Sequence, residues 1–598
     1  QPSPTTFAAA VILSVLLTAA LSSLLAAGHA LPSLSLPFLL TYHLCLGGLH
    51  VAHPPAPEAL SLTGTLGDGL RALGALLFLP RVDAGLLVLA ALLAHSRVAT
   101  ALAAMAWCAT RALLPDAGLA VGLNAMLTAV ALGGVWFVPS AWSYALAMAG
   151  AAVSAAVGAG LARRGVSVLV VPFNLVVPLA LLVLRQRVAD GRPDAVDFTP
   201  GTPEENLAYF RSRAERFGAR AGVRLAAPFR GAWRCTQGHD GAHTHKDRWR
   251  HALDFEVFDA QGLPFGGDGV SLEDFYCYKL PVLAPAAGVV VRVVDGVADN
   301  RVGAVNLDDN WGNAVIVQHA PGVFSCVAHL SPGSIPVREG AHVVAGAVLG
   351  LCGNSGRSAV PHLHMQAQAS AELGAATIPW SLHDAVRCEG ERAALRAVAV
   401  PARGETLRPL RCDAGRAALL RVDYGRRWQV TVNDARTETL VADIDLLGRR
   451  LLRVEGTDAA LYYTHDATGF TALDAVGDPG ACVHALRAAL SRVPFDDDPA
   501  LTWRDRIPLR ATLPWWALPL FDLLSPFGGP ASLEATFTTR RHGAALCVEG
   551  AAGATVTTRA WLLPEVGLTR AEVVVRGRRT LVQLRADDTN ASTDGGLS

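Results

Sequence analysis

The stretch GNSGRSAVPHLHMQAQ, Gly353 to Gln368, decides how the larger part of the chain is read. A tight Gly/Ser turn delivers the chain into PHLH, and HLHMQAQ predicts a strand, in which side chains two apart face the same side. His362 and His364 therefore enter one groove, one to bind a metal and one to work beside it. Working outward, CVAHLS (Cys326 to Ser331) adds His329, and GHDGAHTHKDRWRHALDFEVFD (Gly238 to Asp259) adds four histidines and several carboxylates. Neutral imidazoles with one carboxylate and an open position are the ligand set of a catalytic zinc.

The composition averages two unlike parts: 598 residues are 51% hydrophobic and 17% charged, too apolar for an ordinary soluble protein and too charged for a wholly embedded one. The length allows about three or four domains of roughly 150 residues. Lys+Arg 51 against Asp+Glu 51 leaves no broad basic field, which excludes a dedicated nucleic-acid binder. The only lysines are Lys246 and Lys279, a composition bias without functional meaning.

From Phe7 to about Arg185 apolar runs follow one another with few charges. Phe7 to Gly28, Ala117 to Val138, Ala141 to Ala162 and Val166 to Leu184 are each near the ~20 residues of a membrane helix. Leu70 to Pro80 and Ala84 to His95 are interrupted by Arg81 and Asp83, and Leu36 to Val51 contains two histidines and a Gly pair. An internal echo runs through this block: LPSLSLPFLLTYHL from Leu31 is answered by VSVLVVPFNLVVPL from Val166, each with Pro-Phe inside an apolar stretch. Between them GLNAMLTAVALGG places Asn124 and Thr128 on one helical face, either as glue between helices or beside a polar path.

These motifs resemble the urea transporters over roughly residues 1 to 187. The resemblance implies two inverted repeats of about five helices around a urea-selective slot, with Asn124 and Thr128 lining or bracing it, and a homotrimer. The chain departs from the pattern. No first-half counterpart of GLNAMLT is present, LPRVDAG (Leu79 to Gly85) replaces the usual Asn-Pro-x-Thr-Gly, and the first residue is Gln1 rather than Met. An N-terminally incomplete transporter domain is expected.

The histidine-bearing part resembles the lysostaphin or LytM-type zinc endopeptidases, which cleave peptidoglycan cross-links on an antiparallel β fold. In order, HALDF, LAPAAGVVVRV from Leu283, GNAVIVQH from Gly312, VAHLS, REGAHVVAGAVLGLCGNSG from Arg338 and PHLHM carry the match. It implies zinc held by Asp254 and His364, with His329 and His362 as the general base and oxyanion-stabilising pair. The commonest pattern has the first histidine four before the aspartate, where this chain has Arg250. His251 is three before Asp254, on the opposite face of a regular strand; His245 is nine before it, across a loop, as in one branch of the family. We place His245 ahead of His251 as the first ligand, with His243 a third candidate.

The expected organisation is multidomain: an all-α polytopic membrane domain of incomplete inverted-repeat character over 1–187, a linker over 188–225, an all-β LytM-type zinc peptidase domain over 226–395, a β-rich region over 396–585, and a disordered tail over 586–598. A helix is predicted over Pro203 to Phe217 in the linker, and a β sandwich or a pair of small β units beyond about Val400. LPWWALPLFDLLSPF (Leu513 to Phe527) reads as a core or interdomain contact, with a membrane-surface anchor as the alternative. Eight of the ten cysteines lie in the polar part, an even number that permits disulfides in an oxidising compartment. The functional expectation is a zinc endopeptidase anchored in a bacterial inner membrane by several spans, with its peptidase domain in the periplasm and peptidoglycan peptide as substrate. The alternative is a urea or small-amide channel whose peptidase-like domain is a regulatory or binding module.

Overall fold

A computed structural model describes residues 4–29, 32–42, 60–185, 191–196, 201–217, 223–445, 448–478, 480–509, 512–513, 516–528 and 532–587. The chain divides into two compact units, Gln1–Arg211 with Leu513–Ala531, and Ser212–Thr512 with Ser532–Ser598. Most of the expected tail lies outside the described residues, as does the second half of the Leu36 to Val51 run.

The first unit is helical: α1 (Pro4–His29), α2 (Leu36–Thr41), α3 (Gly64–Gly74), α4 (Val82–His95), α5 (Arg97–Leu113), α6 (Leu119–Val130), α7 (Ala141–Arg163), α8 (Val171–Arg185) and the greater part of α9 (Pro203–Phe217), whose last turns are assigned to the second unit. Among the described residues α7 is the one helix long and apolar enough to cross a membrane, and α3 with α4 makes a broken pair bent by 80°. The break has a local cause. Phe78 takes φ +58°, Pro80 follows, and Arg81 Nε donates to Asp83 Oδ1 at 2.9 Å. Gly85 then lets α4 meet α3 closely, since a Cβ there would lie 1.9 Å from Leu70 O. The runs expected as spans over Ala117 to Val138 and Val166 to Leu184 form shorter helices: α6 passes into a π-turn at Ala131–Val135, and α8 starts only at Val171.

The sequence echo has a conformational counterpart. Leu34 and Leu169, equivalent in the two copies, both take positive φ, +47° and +40°, and each precedes a helix that opens into Pro-Phe. Positive φ is uncommon outside glycine, and its repetition at matched positions marks a duplicated turn. The copies are also bonded: Asn174 accepts from Ser35 N (3.2 Å) and donates to Ser35 Oγ (2.7 Å).

The segment expected as a linker is partly packed. Its helix spans the expected residues, but its first turn is buried against the helical unit: Glu204 accepts from Ser96 Oγ (2.8 Å) and Val98 N (3.0 Å), and Asn206 Nδ2 donates to Gly134 O (2.8 Å). A carboxylate at the start of α5 satisfies a free backbone N–H and complements the helix dipole.

The second unit is strand-rich. Its first part holds β1 (Trp233–Gln237), β2 (Ala252–Glu256), β3 (Pro281–Leu283), β4 (Gly288–Val294), β5 (Asn313–Ala320), β6 (Val323–Leu330), β7 (His342–Val343), β8 (Val348–Leu351), β9 (Leu363–Gln368), β10 (Leu382–Glu389), β11 (Arg392–Ala399) and β12 (Thr406–Pro409). Neighbouring strands run β7-β4-β5-β6-β9-β2-β1-β12-β10-β11, while β3 and β8 pair separately. Alternate residues of these strands fill one core around Trp233, Phe255, Val315 and Met365.

Beyond Val400 the strands β13 (Arg427–Val432), β14 (Arg436–Ile444), β15 (Arg450–Val454), β16 (Ala460–His465), β17 (Gly469–Val476), β18 (Arg492–Pro494), β19 (Leu501–Pro508), β20 (Ser532–His542), β21 (Ala545–Ala552), β22 (Val556–Leu563), β23 (Gly567–Val575) and β24 (Arg578–Ala586) continue the same hydrogen-bonded run through a parallel β11–β19 pairing. The order is β19 to β24, then β13 to β18. This corrects the expected sandwich or pair of small units: the strands curl around one helix, Cys482–Leu490, of which all but His484 is buried. The ends of the curl meet where Trp503 Nε1 donates to Arg492 O at 2.8 Å. The expected division at 395/396 falls inside β11, and Leu225, placed in the linker, is 2% exposed in the core of the first part.

Candidate metal centre

β9 lies between β2 and β6, and the register puts His364 opposite Asp254 on one side and Ala328 on the other. His329, at the end of β6, thereby comes beside the pair. It takes φ +61°, a costly conformation for a non-glycine residue and one that concentrates at functional sites. The rings of His329 and His362 are 4.8 Å apart, those of His329 and His364 5.7 Å, and those of His245 and His364 5.3 Å. Asp254, His245, His364 and His329 are all buried, whereas His362 is half-buried at the mouth.

Each imidazole is oriented from behind. His245 Nδ1 lies 3.1 Å from Gly238 O, His329 Nδ1 2.8 Å from Ser355 O and His362 Nδ1 3.0 Å from Val360 O. A carbonyl only accepts, so each Nδ1 carries the proton and each Nε2 is bare in the neutral ring. For His364 the roles reverse. Nε2 faces Gln366 Oε1 at 3.2 Å, and Gln366 Nε2 is committed to Gln368 Oε1 at 2.8 Å, so in the neutral ring His364 Nε2 donates and its Nδ1 is bare; Nδ1 donates to Asp254 Oδ1, 2.9 Å away, only in the protonated ring.

The consequence is a convergence of lone pairs. His245 Nε2 is 3.1 Å from Asp254 Oδ2 but off the line of a hydrogen bond, and it is a buried nitrogen without a hydrogen-bond partner. His364 Nδ1 is 2.9 Å from Asp254 Oδ1. One ligand atom from each of His245, Asp254 and His364 lies within 4.8 Å of the others. Two bare imidazole nitrogens and a carboxylate gathered in a buried site repel unless a cation or protons lie between them. The donor set fits zinc, with two nitrogens and one oxygen and a fourth position left open.

The electrostatics agree. Burial would raise the Asp254 carboxyl, but positive charge on the His245 and His364 nitrogens that face it, protons in the ion-free site and a cation when one is bound, holds it well below the usual range. Burial depresses His329 well below the ordinary histidine value, with His362 and His364 adding to the effect, so it stays neutral.

Of the other sequence candidates, His251 is turned away: its ring packs 5.4 Å from that of His239, and its Nδ1 lies 3.3 Å from Thr377 Oγ1. His243 is exposed, and its backbone N–H donates to Gln237 Oε1 at 2.9 Å. In the helical unit Asn124 and Thr128 are fully buried; Asn124 Nδ2 donates to Ala120 O (2.7 Å) and Leu169 O (2.6 Å), Phe173 N donates to its Oδ1 (2.9 Å), and Thr128 Oγ1 donates to Asn124 O (2.8 Å). Sequence reasoning passed over Gln237. From β1 its Nε2 donates to both Asp254 Oδ2 and Thr244 Oγ1 at 2.8 Å, while its Oε1 accepts from His243 N and Thr244 N. It ties the loop that carries His245 to the aspartate. It also passed over Gln366, though the two-residue period of HLHMQAQ places it on the His364 face. Nine described cysteines are all free thiols.

Two family models match the chain: Peptidase family M23 over residues 271–373 and Urea transporter over residues 2–185. The chain thus joins a segment similar to the urea transporters to one similar to peptidase family M23, whose metallopeptidases are zinc-dependent. The M23 match includes His329, His362 and His364 and begins after His245 and Asp254. Among curated proteins, the DD-carboxypeptidase/endopeptidase Mpg of Neisseria meningitidis serogroup B is 47% identical over 58 residues, and that of Neisseria gonorrhoeae 45% over 58 residues. Each alignment covers 10% of this chain and 13% of the relative, so the chain spans about an eighth of the length of these proteins. Among solved structures, the catalytic domain of the prophage-encoded M23 protein EnpA from Enterococcus faecalis aligns at 17% identity and TM-score 0.19, covering 26% of this chain and 93% of that one. The lysostaphin catalytic domain from Staphylococcus simulans aligns at 19% and 0.16, covering 25% and 89%.

Proposed function

We propose that the strand-rich part from about residue 226 to 395 is a zinc metalloendopeptidase that hydrolyses peptide bonds of peptidoglycan, anchored by the transporter-like helical part. The observation that carries this reading is the convergence of His245 Nε2, Asp254 and His364 Nδ1 beside His329 and His362. His245, Asp254 and His364 would hold the ion. Zinc bound there supplies Lewis acidity, activating water and polarising the scissile carbonyl.

The remaining chemistry belongs to the chain. His329 and His362 both keep Nδ1 bonded to a backbone carbonyl, so each presents a bare Nε2 to the groove. One takes the proton from the attacking water at Nε2, and the other, having taken a proton at Nε2 from solvent, donates that N–H to the developing oxyanion. The left-handed backbone at His329 and its bond to Ser355 O fix that ring before substrate arrives. Substrate reaches the site past His362, the least buried of the set.

The membrane assignment is supported by the family match over residues 2–185 and by α7. We place the protein in a bacterial inner membrane with the peptidase domain outside the cytoplasm, where its substrate is, and the transporter resemblance implies a homotrimer. The whole chain digesting purified cell walls, with loss of soluble peptide products on chelation and in His364→Ala, tests the peptidase. A chain that binds no zinc, or whose His364→Ala variant digests as well as the parent, overturns it.

The second reading is a urea channel with a regulatory peptidase-like module, and it rests on the same family match. Asn124 spends three hydrogen bonds on its own helix, on the turn before α8 and on the first turn of α8, which favours the bracing role. Urea flux into vesicles carrying the whole chain distinguishes the two.

A further inference from the structure

Leu513–Ala531 is inserted in sequence between β19 and β20, yet it packs as part of the helical unit. Its helix, Leu518–Leu524, continues into a 3-10 turn at Ser525–Phe527. The inward side is small: Leu518 and Asp522 are buried, and Asp522, the only charged residue of the insertion, lies 3.6 Å from Arg97 Nη1 at the start of α5. The outward side is apolar throughout. Trp516 is 69% exposed, Leu520 62%, Leu524 54% and Phe527 68%.

The position of this face identifies what covers it. Phe527 packs edge-on against Tyr144, ring centroids 5.9 Å apart, and Tyr144 lies in the first turn of α7, the helix long enough to cross a bilayer. The end of a membrane-spanning helix lies at the water–lipid boundary, and Trp142 on the same turn is itself exposed. A face without charge, carrying Trp, Phe and Leu and continuous with the exposed apolar surface of α7, matches an in-plane helix whose apolar side sinks into the headgroup and acyl boundary.

We propose that Trp516, Leu520, Leu524 and Phe527 insert into the interfacial layer of the bilayer at the N-terminal end of α7. The sequence alone favoured a core or interdomain contact for this segment; the outward aromatic and leucine face reverses that order. The proposal rests on the reading of α7 as a membrane span. It makes the insertion a second covalent tether between the strand-rich chain and the membrane, in addition to α9.

The test uses the full chain in lipid nanodiscs with Cys45, Cys108 and Cys412 replaced by serine. A polarity-sensitive fluorophore is attached at Leu520→Cys or, as a reference within α7, at Val153→Cys. Nitroxide lipids quench from either the headgroup depth or the acyl centre. The expected result is that the headgroup nitroxide lowers the Leu520 signal at least about twofold more than the acyl-centre nitroxide, while Val153 shows the opposite order. Quenching of Val153 by the deep lipid with no quenching at Leu520 overturns the proposal and leaves the span standing. If Leu520 is also shielded from aqueous iodide, the face is covered by protein, a second copy included. Deeper quenching at Leu520 than at Val153 overturns it as well, and no quenching at either site removes the membrane reading itself.

Discussion

His245 Nε2 stands 3.1 Å from Asp254 Oδ2, reached across a loop rather than along a strand. His251, on β2's approach, is nearer in sequence and faces His239 and Thr377 instead. The two histidines therefore separate by metal content. His245→Ala is expected to lower bound zinc well below one ion per chain, whereas His251→Ala retains it; elemental analysis after gel filtration reads both. Equal retention in the two variants would remove His245 from the ligand set.

His329 and His362 lie beside the ligand atoms without belonging to the converging set. His329→Ala and His362→Ala are expected to keep zinc and lose about 10²–10⁴-fold in hydrolysis, the usual weight of a positioned acid or base. Parallel zinc and rate measurements decide, because a variant that loses both has lost a ligand rather than a proton carrier.

Gln237 acts through other residues. It bonds Asp254 and the Thr244 backbone at once, so Gln237→Ala frees the loop that carries His245. Loss of such an outer contact costs about 10–100-fold in metal affinity. The expected outcome is a weaker zinc affinity in competition with a chelator, with hydrolysis returning as zinc is added. A rate defect that excess zinc leaves unchanged would assign Gln237 to the chemistry itself.

What was legible in the sequence follows the physics of each element. His362 and His364 stood out by their alternate spacing in PHLHM, and Asp254 and His329 by the HALDF and VAHLS motifs of the peptidase resemblance. Gln237 did not, since its partners come from a loop whose path no periodicity records. The helix Cys482–Leu490 was invisible for another reason: CVHALRAAL is only about two and a half turns long, and His484 with Arg487 gives its polar side too few residues to set a period. The boundary expected at 395/396 lies beyond PHLHM, the last motif of the peptidase resemblance, where no residue pattern marks an end, and hydrogen bonding carries β11 across it. Among the helices, the apolar content of 117–138 and 166–184 was legible, but the π-turn and the left-handed Leu169 that shorten them were not.

His239 makes the second unit sensitive to acid. Burial, aided by the neighbouring His251 and opposed by Asp240, lowers its pKa to about 4, below the ordinary 6.5. The unfolded chain therefore binds the proton first. Stability is complete above about pH 6.5 and declines as pH falls toward about 4, where the folded state also takes up the proton. Thermal melts followed by the β-sheet signal, with chelator present so that zinc release does not contribute, are expected to show a shallower pH dependence over that window in His239→Gln. Parallel curves for parent and variant would show that His239 is solvated in the folded chain.

Glu204 holds the start of α5 from a distant part of the sequence. Its carboxylate accepts from both Ser96 Oγ and Val98 N inside the helical unit, where no solvent replaces it. Glu204→Ala leaves a buried hydroxyl and a backbone N–H without an acceptor, a loss of about 1–3 kcal/mol. Glu204→Gln keeps one carbonyl oxygen as an acceptor but gives up the charge that complements the dipole of α5. Detergent-solubilised chain should therefore melt in the order parent, then Gln, then Ala, by intrinsic tryptophan emission. An alanine variant as stable as the parent would mean that water enters at Ser96 and that the α9 contact is incidental to the helical unit.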